Sequence, residues 1–196
     1  MSCILPLLKT KNNHKKGVSA IETPFLIYFF GGIMGNTAEF ELIKMLLDKK
    51  ATVATAESCT GGMVAARLTS VSGASGAFKY GAVTYCNEAK NVLLGVSTET
   101  LDEHGAISAE TAKEMAEGIR KVMGADIGIS VTGNAGPGAA EEKPVGLVFV
   151  GVSSENFSAV LENHFEGDRV SVREQAADSA LALALSAAEK LKEDTI

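Results

Sequence analysis

Two spacings of apolar residues follow one another along the chain, and they predict alternating helices and strands. A helical spacing over residues 36–50 places Phe40, Ile43 and Leu47 on one face of a first helix. Short apolar runs rich in β-branched residues predict strands, and helical patterns separate them. These strands cover residues 52–56, 78–85, 127–132, 145–152 and 159–165. We therefore expect an α/β fold with three α/β/α layers, a mixed, mostly parallel sheet and one late hairpin.

The sharpest break in this pattern lies between the first strand and the second helix. The apolar run 52–56 ends in the sequence Glu-Ser-Cys-Thr-Gly-Gly, and a helical segment begins at Met63. Such a turn presents backbone N–H groups and the positive end of the helix dipole, which favour an anion or a developing oxyanion. Glycines there allow a ligand to approach the backbone closely. Ser58, Cys59 and Thr60 are thus predicted to lie at a binding or catalytic turn.

A lysine occupies an unusual position at the start of a later helix. Asn87 is a suitable N-cap for a helix over residues 88–94, which Gly95 closes, so Lys90 falls in the first turn. A cation there faces the positive end of the dipole, which lowers its pKa and suits a general base. In the alternative interpretation, the Lys90 side chain extends along the surface and keeps its ammonium group in solvent.

A glycine-rich loop follows the third predicted strand. Gly133 and Gly138 have the spacing of a nucleotide-triphosphate loop, but alanines occupy positions 139 and 140, where Lys and Ser or Thr are needed. The sequence therefore disfavours triphosphate binding. Two interpretations remain for this loop: a plain connection between strands, or a loop whose backbone contacts a ligand.

Composition narrows the possible partners. The 196 residues are 46% apolar and 21% charged, which is typical of one globular domain. The net charge of −6 argues against a broad nucleic-acid-binding surface but allows a local phosphate pocket. Arg169 and Arg173, at the start of the last helix, are either solubilising surface residues or an anion clamp.

The three cysteines show neither a disulfide framework nor a zinc-binding spacing, so we expect no metal site and a cytoplasmic location.

Residues 1–33 carry four lysines against one acidic residue and differ in composition from residues 34–196, the expected single domain. The apolar run 25–34 is shorter than the about 20 residues that span a bilayer, so no membrane helix is predicted. We expect a disordered extension at 1–33. There are two alternatives: a signal or anchor segment, or upstream sequence translated ahead of a natural start at Met34.

Several motifs, taken in order, resemble one known family. They are TAESCTGG at 55–62, VTYCNEAKNVLLGV at 83–96, EHGAIS at 103–108, TGNAGPG at 132–138, EKPVG at 142–146 and GDR at 167–169. Together they resemble the CinA carboxy-terminal domain family, whose stand-alone members include nicotinamide mononucleotide deamidase. The resemblance implies a metal-independent amidohydrolase without a cofactor, which converts this small nucleotide and water to nicotinate mononucleotide and ammonia. It also implies self-association.

The resemblance also implies roles for individual residues. Ser58 would be the nucleophile and Lys90 its general base, with Tyr85 supporting the proton network. Backbone N–H groups of residues 59–62 would hold the oxyanion. The implied substrate-binding residues are Thr60, Gly61, Gly62, Gly133, Gly136 and Arg169. Cys59 is a rival nucleophile, because the same helix dipole would favour its thiolate.

Two positions depart from the family pattern. Cys86 stands where the family commonly has Ser, and Asn134 stands where an apolar residue is usual in the glycine-rich loop. The first keeps a small side chain, whereas the second bears on the conformation of the loop. Because family membership does not guarantee activity, a non-catalytic, competence- or damage-inducible regulatory protein is the alternative function. An amidase for another pyridine or nucleotide amide is a third possibility.

Overall fold

The computed structural model describes residues 37–192. The predicted extension at residues 1–33, and Asn36 at the predicted start of the first helix, lie outside this range. A short 3₁₀ turn at Ala74–Gly76 precedes the second strand. The elements within the described range are α1 (Ala38–Asp48), β1 (Val53–Glu57), α2 (Met63–Thr69), β2 (Phe78–Val83), α3 (Asn87–Leu94), α4 (Thr98–His104), α5 (Ala109–Met123), β3 (Ile127–Gly133), β4 (Leu147–Ser153), β5 (Ser158–His164) and α6 (Arg169–Glu189).

The five strands form one mixed sheet in the order β2-β1-β3-β4-β5. Strand β1 pairs in parallel with both β2 and β3, whereas β3–β4 and β4–β5 pair antiparallel. The predicted mixed sheet and late hairpin are confirmed, and parallel and antiparallel pairings are equal in number. Because β1, β2 and β3 run in one direction, their carboxyl ends share one edge of the sheet, where ligands of open α/β sheets bind.

Helices cover both faces of the sheet, which confirms the three layers. Helices α1, α2 and α6 pack with the valines and isoleucines of β3 and β4 in the larger core. Helices α3, α4 and α5 cover the other face through Leu94, Leu101, Met115 and Ile119. Within residues 37–192, no helix combines the length and the apolar character needed to cross a bilayer.

Small residues allow α5 to lie close to the centre of the sheet. A Cβ atom on Gly128 of β3 would come within 2.1 Å of the Ala116 carbonyl oxygen of α5. The next residue on that face, Ser130, donates its hydroxyl to the Ala112 carbonyl at 2.5 Å. The helix therefore approaches the strand through backbone contacts that larger side chains would prevent.

The predicted face of the first helix is partly wrong. Leu42, Ile43 and Leu46 are buried, whereas Phe40 and Leu47 are each 40% exposed. Leu42 and Leu46 lie one turn apart and pack in the core shared with α6, so they set the orientation of the helix. The apolar residues of α1 cover more than half of its circumference, and their spacing alone did not select the buried stripe.

Candidate active site

The backbone at the end of β1 is fixed by both neighbouring strands. The Ser58 amide donates to the Val131 carbonyl of β3 at 2.8 Å. On the other side, the Thr84 amide donates to the Glu57 carbonyl, also at 2.8 Å. Ser58 therefore leaves the sheet at a defined position, beside the residues that follow β2.

Lys90 reaches this position from the first part of α3. The helix begins at Asn87 with Cys86 as its N-cap, one residue earlier than predicted. The Lys90 side chain is only 1% exposed. Its Nζ atom lies 3.3 Å from the Ser58 hydroxyl oxygen and donates to the Thr84 carbonyl at 2.9 Å. The alternative in which Lys90 extends into solvent is therefore wrong.

Burial lowers the pKa of Lys90 from its ordinary value, because the ammonium group loses its hydration. The nearby Cys86, Glu141 and Cys59 oppose this effect and favour the charged form. Within residues 37–192, Lys90 forms no ion pair with a carboxylate. Desolvation is thus the main cause of the lowered pKa of Lys90.

Cys59 is buried beside Ser58, and its surroundings disfavour the thiolate. Burial raises the pKa of the Cys59 thiol to about 11, and the negative charge of Glu57 acts in the same direction. Backbone hydrogen bonds from the amides of Cys59 and Thr60 and the nearby Arg169 charge only partly oppose this rise. Cys59 is therefore protonated at neutral pH, and the expectation that the helix dipole would favour its thiolate is wrong.

Glu57 is the functional candidate that sequence reasoning missed. Its carboxylate is 99% buried and accepts backbone hydrogen bonds from Gly62 at 3.0 Å, Val64 at 3.0 Å and Ala65 at 2.9 Å. The start of α2, predicted to be open to a bound anion, is thus occupied by the protein's own carboxylate. A lone acid at the end of an apolar strand, just before a turn with two glycines, is the sequence signal that pointed to it.

The same contacts correct the predicted oxyanion donors. Gly61 and Gly62 have left-handed backbone angles, with φ of 61° and 97°. The Gly61 amide donates to the Ser58 carbonyl at 3.0 Å, and the Gly62 amide is taken by Glu57. Both amides therefore already have acceptors, which leaves those of Cys59 and Thr60 as the candidate oxyanion donors of the turn.

Arg173 of α6 holds this turn from the opposite side. Its Nε donates to the Cys59 carbonyl at 3.1 Å and its Nη2 to the Thr60 carbonyl at 2.7 Å. The guanidinium thus binds backbone, which neither the anion-clamp nor the surface interpretation anticipated. The Thr60 hydroxyl is buried and has no hydrogen-bond partner among the described residues.

Arg169 joins two other parts of the predicted site. Its Nη1 donates to the Gly136 carbonyl at 2.6 Å, and its Nη2 donates to the Tyr85 hydroxyl at 2.9 Å. Tyr85 is 61% exposed, so its hydroxyl lies at the rim of the site. The structure therefore brings Tyr85, Gly136 and Arg169 together, and it gives the Tyr85 hydroxyl a partner in Arg169.

Asn134 organises the glycine-rich loop that departs from the family pattern. Its side-chain oxygen accepts from the Gly136 amide at 2.9 Å, and its side-chain nitrogen donates to the Lys143 carbonyl at 3.1 Å. Gly133 pairs with Val148 of β4, and a Cβ atom there would lie 2.6 Å from the Leu147 carbonyl oxygen. Gly133 is thus required by the close approach of β4.

A second carboxylate fastens the far part of this loop. Glu141 accepts backbone hydrogen bonds from Ala106 and Ile107, both at 3.1 Å. A Cβ atom on the preceding Gly105 would lie 2.6 Å from the Glu141 Oε2 atom.

Within residues 37–192, no group of three or more His, Cys, Asp or Glu side chains is placed to hold a metal ion.

This arrangement can be compared with known proteins. The sequence profile of the CinA C-terminal domain matches residues 36–188. The chain belongs to the CinA C-terminal domain family. The match includes every element described above except the last residue of α6, and therefore the whole of the candidate site.

Similar curated proteins carry the name putative competence-damage inducible protein. One from Caldicellulosiruptor saccharolyticus is 50% identical over 151 residues, which are 76% of this chain and 37% of that protein. One from Clostridium novyi is 52% identical over 146 residues, which are 74% of this chain and 35% of that protein. The chain thus spans less than two fifths of the length of these relatives.

Solved structures of the superfamily are also similar over most of this chain. A CinA superfamily protein from Klebsiella pneumoniae is 33% identical with a TM-score of 0.75, and the match covers 79% of this chain and 97% of that one. The competence/damage inducible protein CihA from Agrobacterium tumefaciens is 37% identical with a TM-score of 0.72, and the match covers 81% of this chain and 99% of that one. The α/β fold is therefore that of the CinA superfamily.

Proposed function

We propose that the protein is a metal-independent amidohydrolase that converts nicotinamide mononucleotide and water to nicotinate mononucleotide and ammonia. The observation that carries this proposal is the contact between Ser58 and Lys90. The lysine Nζ is buried, has a lowered pKa and lies 3.3 Å from the serine hydroxyl oxygen. A serine hydroxyl becomes a useful nucleophile only when an adjacent base accepts its proton, and a neutral lysine can do so.

In the proposed reaction, Ser58 Oγ attacks the carboxamide carbon while its proton moves to Lys90 Nζ. Amides of Cys59 and Thr60 donate to the resulting oxyanion. Lys90 then returns the proton to the amide nitrogen, the carbon–nitrogen bond breaks and ammonia leaves. Water attacks the acyl-enzyme with Lys90 again as base, which releases nicotinate mononucleotide and restores Ser58.

The cationic side of the site suits the nucleotide phosphate. Because Glu57 occupies the start of α2, the phosphate is assigned to Arg169 and the loop that contains Gly133 and Gly136. Arginine offers a planar fork that matches phosphate geometry. Tyr85, bound to Arg169 at the rim, would then contact the ribose phosphate rather than the reacting amide.

Ammonia release from purified protein, without added metal, tests this function directly. We expect activity with nicotinamide mononucleotide and a loss of at least about 10³-fold in kcat for Ser58→Ala and for Lys90→Met. Circular dichroism checks that both variants are folded. Full activity of Ser58→Ala would show that the nucleophile is wrong, and a folded wild type that releases no ammonia from this substrate would overturn the function.

A second candidate is a non-catalytic role in competence or damage responses, because similar curated proteins are named putative competence-damage inducible proteins. The same assay separates the two functions, because a regulatory protein releases no ammonia from any pyridine or nucleotide amide. A cytoplasmic location remains part of the first proposal, because its nucleotide substrate is an intracellular metabolite.

Self-association is also proposed. Exposed apolar side chains lie on the edge strand β2, at Tyr80 and Val83, and on α3, at Val92 and Leu93. Exposed apolar surface can mark a protein–protein contact. Light scattering after size exclusion checks this proposal: a mass above that of the 20.4 kDa chain supports it, and a monomer at micromolar concentration contradicts it.

A further inference from the structure

We propose that Glu57 is a positioning residue for the reaction: its buried carboxylate holds the turn that carries Ser58 in register with Lys90. This inference rests on the proposed function, because it concerns the same serine and lysine. Glu57 touches neither the substrate nor the Ser58 hydroxyl through its side chain. It acts through the backbone amides of Gly62, Val64 and Ala65.

The side chain of Glu57 controls the path of the chain after Ser58. One carboxylate oxygen accepts from Gly62 and Val64, and the other accepts from Ala65. Charge-assisted bonds of this kind are shorter and stronger than neutral ones, and a buried site excludes competing water. The start of α2 is therefore fixed to the residue that immediately precedes the nucleophile.

The backbone of Glu57 controls the base at the same time. Its carbonyl accepts from the Thr84 amide at 2.8 Å, and the Thr84 carbonyl accepts from Lys90 Nζ at 2.9 Å. Glu57 thus contacts both the turn of the nucleophile and, through its carbonyl, the residue that anchors the base. A small displacement of Glu57 would change the distance between Ser58 Oγ and Lys90 Nζ directly.

The negative charge has a second consequence for the choice of nucleophile. Within residues 37–192, no cationic side chain forms an ion pair with Glu57, so its compensation comes from backbone dipoles. The charge also helps to raise the pKa of Cys59. The turn is therefore organised by an anion that suppresses the thiolate while leaving Ser58 free to use Lys90.

Glu57→Gln tests the proposal with nearly unchanged side-chain volume. In either orientation, a glutamine presents its NH₂ group to at least one of the three backbone N–H groups. At least one hydrogen bond is then replaced by two donors that face each other. We expect kcat to fall about 10²-fold with KM within about threefold, because a displacement near 1 Å costs that much in rate. Glu57→Asp keeps the charge but retracts it, and it carries the test if the glutamine variant does not fold.

The matched control is Glu39→Gln. Glu39 is also a buried carboxylate, and it fastens α2 through Arg67, with Glu39 Oε2 and Arg67 Nη2 2.7 Å apart. The change Glu39→Gln should therefore destabilise the same helix without touching the turn. We expect Glu39→Gln to lower the melting temperature but to keep kcat within about twofold. If both variants lose kcat equally, the effect of Glu57 is global destabilisation and the positioning role is overturned.

Amide hydrogen exchange provides a readout that does not need activity. Glu57→Gln should accelerate exchange at residues 62, 64 and 65 by about tenfold or more, and Glu39→Gln should not. Unchanged exchange overturns the proposal whatever the activity. If the wild type releases no ammonia, the amidase function fails, and exchange together with Ser58 labelling by an alkyl fluorophosphonate still tests the positioning. Faster exchange with unchanged kcat or labelling rate overturns it.

Discussion

Two segments at the candidate site are held in the same way, by one carboxylate and one arginine that bind main-chain groups. The nucleophile turn, residues 58–62, is fastened by the Glu57 carboxylate on backbone amides and by Arg173 on backbone carbonyls. The glycine-rich loop, residues 133–146, is fastened by the Glu141 carboxylate on backbone amides and by Arg169 on a backbone carbonyl. In each case one anion and one cation bind main-chain groups.

The two segments differ in their access to water. Glu57 is almost completely inaccessible, whereas Glu141 and Arg169 are exposed. A buried carboxylate leaves its donors unsatisfied when it is removed, while water replaces an exposed one. The nucleophile turn is therefore expected to be rigid, as the chemistry requires, and the glycine-rich loop to be adaptable, as substrate entry requires.

The largest expected effect is on stability, in Glu57→Ala compared with Glu141→Ala. Because three buried N–H groups lose their acceptor, we expect Glu57→Ala to reduce the free energy of unfolding by about 3–5 kcal/mol. For Glu141→Ala we expect about 1 kcal/mol or less, because the Glu141 side chain is exposed and water can take its place. Urea denaturation measures both values, and the slopes with denaturant check that unfolding remains two-state. Equal losses would show that burial does not distinguish the two segments.

A second contrast concerns the cations, in Lys90→Met compared with Arg169→Met. Burial lowers the pKa of Lys90, so the unfolded chain binds the proton more tightly than the folded one. Stability of the wild type therefore rises with pH between that lowered pKa and the ordinary value of about 10.4. We expect Lys90→Met to be more stable than the wild type at pH 7, by about 1 kcal/mol or more, as for other buried charges replaced by apolar groups.

The pH dependence is the diagnostic part of that experiment. The advantage of Lys90→Met should shrink as the pH rises to about 10.4 and above, where the wild-type lysine becomes neutral in both states. Arg169→Met is the control: it removes an exposed cation of the same site, and we expect its effect on stability to be flat over this range. Unfolding free energies at four or five pH values are sufficient. A constant difference for Lys90→Met would mean that the lysine is charged to the same extent in both states.

The third prediction concerns the loop through Asn134→Ala. The change removes the hydrogen bonds to the Gly136 amide and the Lys143 carbonyl, so Gly136 is less firmly held for its contact with Arg169. We expect KM for nicotinamide mononucleotide to rise about tenfold with kcat within about threefold, since substrate binding is weakened uniformly. Steady-state kinetics measure both. A fall in kcat with unchanged KM would place Asn134 with the nucleophile turn instead.

These contrasts show which parts of the site the sequence could predict. The elements, the mixed sheet and the pairing of Ser58 with Lys90 followed from periodicity, helix starts and family motifs, because those signals are local or shared with relatives. The buried stripe of α1 did not, since Phe40 and Leu47 are as apolar as Leu42 and Leu46, and only packing against α6 selects among them.

The role of Glu57 could not be predicted for a different reason, although the sequence marks its position. A carboxylate at the end of a buried strand is normally unfavourable, and its compensation comes from amides five to eight residues later. Those amides converge because Gly61 and Gly62 adopt left-handed backbone angles, a conformation that the sequence permits but does not specify. The same geometry reversed the expectation that the turn would offer an open anion site.

The smallest expected effect is in Cys59→Ala, within the nucleophile turn itself. Because burial and the Glu57 charge raise the pKa of Cys59 to about 11, only about one thiol in 10³ is ionised at pH 8, and the site is closed to reagents. Iodoacetamide should therefore label the exposed Cys86 at least about 10²-fold faster than Cys59, as peptide mass spectrometry can measure.

Activity completes that comparison. Cys59→Ala should keep kcat within about threefold, because the turn is fixed by contacts of Glu57 and Arg173 with the main chain and not with the thiol. Rapid labelling of Cys59, or complete loss of activity in Cys59→Ala while Ser58→Ala remains active, would show that the thiol is the nucleophile. Slow labelling with retained activity would mean that the rigid turn serves Ser58, since the buried anion that shapes it also keeps its neighbouring thiol protonated.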